Sequence, residues 1–319
     1  MATFFCGIIL IFFLKSLVLK HKFLVSKGVP LVGGPALAIA FLACVLVASR
    51  LYGIMTYELL GLCAASFLML VFGILDDWRE LSIPAKFAFE IVATILLVVF
   101  GVKTQIVGLG SVGNIIVTFV WVLAVTNAFN HLDIMDAVAG LSAFIIGAGL
   151  FVISVFGADM QTALLCCILC GAVLSFLTFN LPPAGIYLGN SGSHFLGFVF
   201  SGIALIISYA SLERPVALIS PILIMGLPLY DTIFLVLVRI LKGKIPFKKS
   251  NDHLTLRFRV LGLSVRKIIC IILLLNLMFV STGIIVSRAS NLVGLVVIFV
   301  TSLVILGVTL KMAKVKVDV

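Results

Sequence analysis

The chain has 319 residues, 63% hydrophobic and 11% charged, with a mean hydropathy of +1.36. A soluble domain cannot hide that much apolar surface, and the apolar residues fall in long continuous runs. That pattern also excludes a lipid-embedded barrel, whose strands alternate apolar and polar residues. The formal net charge of +10 sits mostly at the ends of the runs, so it reads as a topology signal with no nucleic acid implied.

Runs of roughly 17–25 apolar residues are long enough to cross a bilayer as a helix. About eleven are expected, over residues 3–19, 31–50, 59–75, 84–100, 112–130, 137–157, 160–180, 192–209, 217–240, 266–287 and 292–311. The expected fold is therefore all-α and polytopic. It is a single integral membrane domain over 1–319, because no linker, low-complexity tract or clear repeat interrupts it. The first run has no basic stretch before it and no small-residue cleavage site after it, so it reads as a retained helix and not a signal peptide. With eleven spans the termini lie on opposite sides. Placing the N-terminus outside and the C-terminus inside puts 18 of the 22 Lys and Arg residues on the inner side, as the positive-inside rule requires.

Taken in chain order, the polar residues gather at four places. In FGILDDWRELSIPAKFAFE, residues 72–90, Asp76 and Asp77 close one span. Adjacent carboxylates suit binding of a hard divalent cation, or positioning and deprotonation of a nucleophile; they also suit a polar helix end. Glu90 lies inside the next span. It either pairs with Lys86, four residues earlier on the same helix face, or marks function, as ionisable groups in lipid usually do. In NAFNHLDIMDAVAGL, residues 127–141, Asn127, Asn130, Asp133 and Asp136 recur every third residue. On a helix or tight turn they share one face, which reads as a ligand site rather than a solvated helix end.

Cys167 and Cys170 form a C-x-x-C within an apolar run, and like all seven cysteines they read as packing residues. In FNLPPAGIYLGNSGSHFLG, residues 179–197, Pro182 and Pro183 break a helix after Asn180. A flexible Gly/Ser turn, Gly189 to Ser193, precedes the next span, where backbone amides can hold a phosphate. Asp231 lies within the run at 217–240. The longest inner loop, 241–265, combines Lys248, Lys249, Asp252, His253, Arg257 and Arg259. It either rests on anionic lipid or closes over a polyanionic substrate.

These four segments, in this order and spacing, resemble the polyprenyl-phosphate N-acetylhexosamine-1-phosphate transferases of glycosyltransferase family 4, which are related to phospho-N-acetylmuramoyl-pentapeptide transferase. KGVPLVGG at 27–34 is similar to that family's first inner-loop motif. The resemblance implies a fold of ten or eleven membrane helices. It implies transfer of a sugar-1-phosphate, an N-acetylhexosamine-1-phosphate, from a UDP-sugar to undecaprenyl or another polyprenyl phosphate. UMP is released, and the step begins cell-envelope glycan synthesis such as that of lipopolysaccharide. DHLTLR is closer to the N-acetylglucosamine branch. The implied cofactor is Mg2+ or Mn2+, because a phosphate anion must attack a diphosphate. The implied location is the inner (plasma) membrane with a cytoplasmic site, where lipid acceptor and soluble donor meet.

Carried over by position, Asp76, Asp77 and His253 would be catalytic, with Asp76, Asp77 and Asn190 at the metal. Lys27 and Lys86 would hold phosphates. Asn127, Asn130, Asp133, Asp136 and Asn180 would line the nucleotide site, Tyr187 would lie beside the uracil ring, and Arg257 would contact substrate. The chain departs from the family pattern at Asn190, where the family has aspartate, at Thr255 and Leu256, where it has histidines, at Ile134 and Ala137, where it has glycines, and at Glu90, where it has glutamine. Two other readings follow. A family member that binds without turnover would release no UMP. A transporter using Glu90 and Asp231 would show uptake in sealed vesicles, although no repeat of the kind common in transporters is visible.

Overall fold

The computed structural model describes residues 1–21, 23–209, 213–243, 252–315 and 317. Lys248 and Lys249 of the basic loop, and Lys22, Lys244 and Lys316 of the basic asymmetry, lie outside the described residues. The chain is a polytopic all-α membrane protein. By packing it forms two compact units, residues 1–208 and 209–319, although the sequence reads as one uninterrupted domain.

Unit 1 carries eight helices: α1 (Ala2–His21), α2 (Gly33–Tyr52), α3 (Tyr57–Trp78), α4 (Ile83–Val99), α5 (Gly110–Leu132), α6 (Val138–Phe156), α7 (Met160–Asn180) and α8 (Gly189–Ile206). Each begins and ends within a few residues of an expected span. A two-stranded hairpin, β1 (Val25–Ser26) with β2 (Val29–Pro30), lies between α1 and α2. Its two-residue turn, Lys27–Gly28, has φ of +50° and +81°, the left-handed pair that matches strand twist in a tight hairpin. The turn sets Lys27 exposed at the tip.

The centre of unit 1 is α8, packed by α2, α3 and α5. Residues 191–200 of α8 are all buried. The expected flexible Gly/Ser turn is thus the ordered first turn of this helix, and glycine is what lets neighbours come so close. A Cβ built on Gly34 would lie 2.3 Å from the Gly192 amide nitrogen, and one on Gly73 would lie 2.3 Å from Ser191 Cα.

Unit 2 carries a 3-10 turn (Pro215–Ile219), α9 (Ser220–Ile224), α10 (Gly226–Leu241), α11 (Leu254–Val260), α12 (Val265–Arg288) and α13 (Asn291–Ala313). The run at 217–240, expected as one span, is a pair of helices bent by 76° at a short break. The break lies between Pro221 and Pro228, which lack amide hydrogens, and at Gly226, where an added Cβ would lie 2.3 Å from the Phe279 ring. Side-chain bonds tie the longer helices, with Thr282 and Thr301 hydroxyls 2.9 Å apart and Tyr230 and Thr309 hydroxyls 3.0 Å apart.

Among the described residues, eight helices are long and apolar enough to cross a membrane, or nine if the bent pair is one span. Of the other expected spans, α4 has 17 residues, and α8 opens on Asn190, Ser191, Ser193 and His194. The outermost helices suit lipid contact: only 22% of the apolar window of α1 and 11% of that of α13 is buried.

Candidate functional site

In unit 1 the polar residues converge where α3 ends and α8 begins. Asp77 accepts three hydrogen bonds from the first turn of α8: Asn190 N–H at 2.7 Å, Ser191 N–H at 3.0 Å and the Ser191 hydroxyl at 2.6 Å. It thus caps a helix 113 residues away in the chain, where unpaired amides and the positive end of the helix dipole favour an anion. Gly189, at φ +71°, makes room, since a Cβ there would lie 2.6 Å from Asp77 Oδ2. The same turn is held from the other side by backbone bonds. Gly33 N–H donates to Tyr187 O and Gly34 N–H to Leu188 O, both at 3.0 Å, and Tyr187 N–H donates to Pro30 O at 2.9 Å. The hairpin and Tyr187 are thereby fixed to one another.

Asp76 is buried. It accepts from Leu81 N–H at 2.8 Å and pairs with the Lys86 ammonium at 2.6 Å. Lys86 therefore turns to Asp76 rather than forming the helical pair with Glu90. Glu90 is 1% exposed and accepts from Asn127 Nδ2 at 2.7 Å. Its other oxygen has no hydrogen-bond partner among the described residues. That oxygen lies 3.6 Å from His194 Nε2, while His194 Nδ1 contacts Asn190 O at 3.0 Å. The sequence reading did not single out His194. An imidazole inside an apolar helix was the signal that could have found it.

The four residues at three-residue spacing divide between α5 and the turn after it. Asn127 goes to Glu90, and Asn130 Nδ2 donates to Asn190 Oδ1 and Ser193 Oγ, both at 3.0 Å. Asp133 caps the end of α5, and Asp136 accepts from Ala184 N–H at 3.1 Å. The Asp133 carboxyl is enclosed although part of the residue stays open. Burial, then the neighbouring carboxylates of Asp77 and Asp136, push its pKa up to about 7. Asn180 is buried and uses both ends of its amide on the backbone, accepting from Ala137 N–H and donating to Ile186 O, each at 2.9 Å. Ala137 stands at φ +68°, a left-handed conformation that an alanine adopts only under such constraint.

Unit 2 holds a second polar cluster. His253 Nδ1 lies 2.9 Å from Asp231 Oδ2, and Leu254 N–H donates to Asp231 Oδ1 at 2.8 Å. Asp252 is paired with Lys242 and with Arg257 Nη2, both at 2.7 Å. Arg257 is fully buried. Three further donors go to backbone carbonyls: Nε to Asp252 O at 3.0 Å, and Nη1 to Met312 O at 2.8 Å and Val315 O at 2.6 Å. Its guanidinium also lies over the Phe234 ring. The arrangement closes the end of α13 and leaves Arg257 inside the protein rather than on a ligand surface. Thr255 is buried and Leu256 half-buried on α11.

Residues 59–208 match the family model described as glycosyl transferase family 4, a stretch that lies within unit 1 and ends where it does. The chain is 31% identical over 286 residues to a probable undecaprenyl-phosphate N-acetylglucosaminyl 1-phosphate transferase of Bacillus subtilis, covering 86% of this chain and 78% of the relative. It is 29% identical to a decaprenyl-phosphate N-acetylglucosaminephosphotransferase of Mycolicibacterium smegmatis, covering 77% and 68%. It is 26% identical to the undecaprenyl-phosphate alpha-N-acetylglucosaminyl 1-phosphate transferase of Escherichia coli, covering 73% and 68%. The 86% coverage exceeds the length of unit 1, so the likeness runs on into the unit that carries His253. With the four motifs in order along it, the chain belongs to glycosyl transferase family 4.

Proposed function

We propose that the protein transfers N-acetylglucosamine 1-phosphate from UDP-N-acetylglucosamine to a polyprenyl phosphate, releasing UMP, at the start of an envelope glycan. The observation that carries this reading is the 31% identity, over 86% of the chain, to the Bacillus subtilis relative whose name states a transfer of this kind. In the reaction an oxygen of the lipid phosphate attacks the β-phosphorus of the donor. The bond from that phosphorus to the bridging oxygen breaks, and UMP leaves with the bridging oxygen and its electron pair.

Bound Mg2+ or Mn2+ would neutralise the facing phosphate oxygens. The donor set fits such an ion, because Asp77 and Asp136 both act on the Asp133 carboxyl, so a cation would relieve their mutual repulsion. Among the described residues no three His, Cys, Asp or Glu side chains form a ready-made cage. Mg2+ characteristically binds through one or two carboxylates plus water and substrate phosphates. Asp76, Asp77 and Asn190 would serve it, with Asp133 and Asp136 beside them. Asp76 orients the Lys86 ammonium from 2.6 Å toward a phosphate. Lys27, at an exposed hairpin tip, would meet the incoming anion.

The same reading puts eleven spans in the plasma membrane, N-terminus outside and C-terminus inside, with the site facing the cytoplasm. The asymmetry of 18 in 22 basic residues supports it. Cysteines placed at 76, 133, 190 and 253 should resist a label added outside the cell, and efficient labelling at any of them defeats this topology. For the activity, UMP release is measured from a panel of UDP-sugars with undecaprenyl phosphate and Mg2+ or Mn2+. Release with UDP-N-acetylglucosamine is expected. A second reading, binding without turnover, is favoured by the neutral amide at Asn190, whose oxygen is already taken by Asn130. It is the outcome if UDP-sugar binds and no UMP appears. Neither binding nor release overturns both readings.

A further inference from the structure

Beside the first turn of α8, within unit 1, a buried carboxylate faces a buried imidazole. Glu90 of α4 and His194 of α8 are each 1% exposed. Glu90 stands in the apolar stretch KFAFEIVATILL, where a carboxylate is costly unless both oxygens find partners. Oε2 has one, Asn127 Nδ2 at 2.7 Å. Oε1 has no hydrogen-bond partner among the described residues and lies 3.6 Å from His194 Nε2.

The neighbouring groups fix what stands between the two. The Asn190 carbonyl can only accept, so His194 Nδ1, 3.0 Å from it, must carry a hydrogen. Asn130 Nδ2 comes within 3.5 Å of the same nitrogen, but its two hydrogens go to Asn190 Oδ1 and Ser193 Oγ, both at 3.0 Å. With Nδ1 as donor, a neutral ring turns the lone pair of Nε2 toward Glu90 Oε1. A bare nitrogen and a bare carboxylate oxygen would repel one another in a dry interior, so one hydrogen belongs between them, whichever atom it resides on. Phe72 of α3 braces the ring edge-on, with centroids 5.2 Å apart, and is itself stacked on Phe89.

Asn190 is the residue this arrangement serves. Its N–H holds Asp77, its carbonyl meets His194 and its Oδ1 takes Asn130. We propose that Glu90 and His194 are positioning residues for Asp77. Joined by one shared hydrogen, they hold the Asn190 carbonyl, and with it the turn whose amides fix the Asp77 carboxylate. Their effect on transfer rests on the function proposed above; the hydrogen they share does not.

The experiment has two arms on the full-length protein in micelles. With 15N-labelled histidine, only four imidazoles need resolving, and His194 is identified by the signal lost in His194→Phe. Wild-type His194 should show a protonated Nδ1, and an Nε2 displaced from the position of a bare ring nitrogen. In Glu90→Leu, Nε2 should move to the bare position while Nδ1 stays protonated. In Glu90→Gln, whose amide can both donate to Nε2 and accept from Asn127, Nε2 should stay displaced. In the kinetic arm, Glu90→Leu and His194→Phe should each lower kcat about tenfold or more, with KM for UDP-N-acetylglucosamine within about threefold. Glu90→Gln should rescue kcat to within about threefold of wild type, and the double variant Glu90→Leu/His194→Phe should be no slower than the worse single, as for residues that act as a unit.

A wild-type His194 with a bare Nδ1 overturns the proposal, as does an Nε2 signal that Glu90→Leu leaves unmoved. So do a Glu90→Gln variant as slow as Glu90→Leu, losses that multiply in the double variant, or a change confined to KM. If the wild type releases no UMP, the transferase reading falls, and the NMR arm still decides whether Glu90 and His194 share the hydrogen.

Discussion

The two units hold their clustered aspartates in opposite ways. In unit 2, Asp231 faces an imidazole and Asp252 faces two cations. In unit 1, Asp77 and Asp136 are held by backbone amides and a hydroxyl, and of Asp76, Asp77, Asp133 and Asp136 only Asp76 has a cationic partner among the described residues. Neutral donors fix a carboxylate in space without cancelling its charge, so unit 1 keeps negative potential at its polar end. Matched pairs cancel charge and buy geometry, which makes the unit 2 cluster a scaffold for orientation. The first arrangement leaves carboxylate charge without a matching cation among the described residues; the second has its own.

Substitutions can break that contrast, and the largest effect should come from Asp77→Asn. The swap removes the charge and leaves one oxygen for three donors, so UMP release should fall about a thousandfold or more while the protein still inserts in the membrane. Near-normal turnover would make Asp77 a helix cap alone. The unit 2 counterpart is Arg257→Met. It takes the guanidinium from Asp252 and leaves two carbonyls at the end of α13 without their donor. Breaking a buried pair of this kind costs about 3–5 kcal/mol, read as a lowered midpoint of denaturation. Arg257→Lys should not restore it, because an ammonium cannot span the same acceptors as the guanidinium fork.

A third change sharpens the electrostatic reading of unit 1. Asn190→Asp adds a charge at the first turn of α8, and it should strengthen Mg2+-dependent thermal stabilisation about tenfold in apparent affinity, since Mg2+ prefers charged oxygens. Unchanged metal dependence would remove Asn190 from the metal. The fourth concerns pH. Asp133 is raised to about 7, so the metal-free folded state holds a proton that the unfolded chain releases near pH 4. Its contribution is fully present below about pH 4 and is lost as pH rises through about 7. Asp133→Asn should flatten that slope in a thermal-unfolding series at fixed ionic strength, and an unaltered slope would show that the carboxyl is not so enclosed. The smallest effect belongs to Lys242→Ala, whose side chain is 33% exposed. A pair this open is worth about 1 kcal/mol or less, and a larger loss would mean that Lys242 helps hold Asp252 against Arg257.

The positions of the helices were legible because run length reports transfer into lipid, a property of contiguous residues. Each expected span falls on helix, and only the break within 217–240 stayed hidden, behind an apolar composition that Pro221, Gly226 and Pro228 do not change. The members of the site were legible as residue types at helix ends, but their partners were not. Nothing local joins Asp77 to Ser191, 114 residues on, or tells Lys86 to choose Asp76 ten residues back over Glu90 four residues ahead. Arg257 read as a substrate contact because of its position in the last-loop motif. Its burial depends on carbonyls 55 and 58 residues away.

The close approach of Gly34 and Gly73 to the first turn of α8 has a consequence for mutational scanning. With only 2.3 Å left for a Cβ at either position, even alanine must drive backbone from backbone. These positions should behave as blank columns in a saturation library, together with Gly192, whose own Cβ would lie 2.7 Å from Gly34 Cα. Gly28 should differ, since nothing lies within 4 Å of a Cβ there. At Gly28 the library should record a preference for residues that tolerate a left-handed backbone, asparagine first, and no penalty for size.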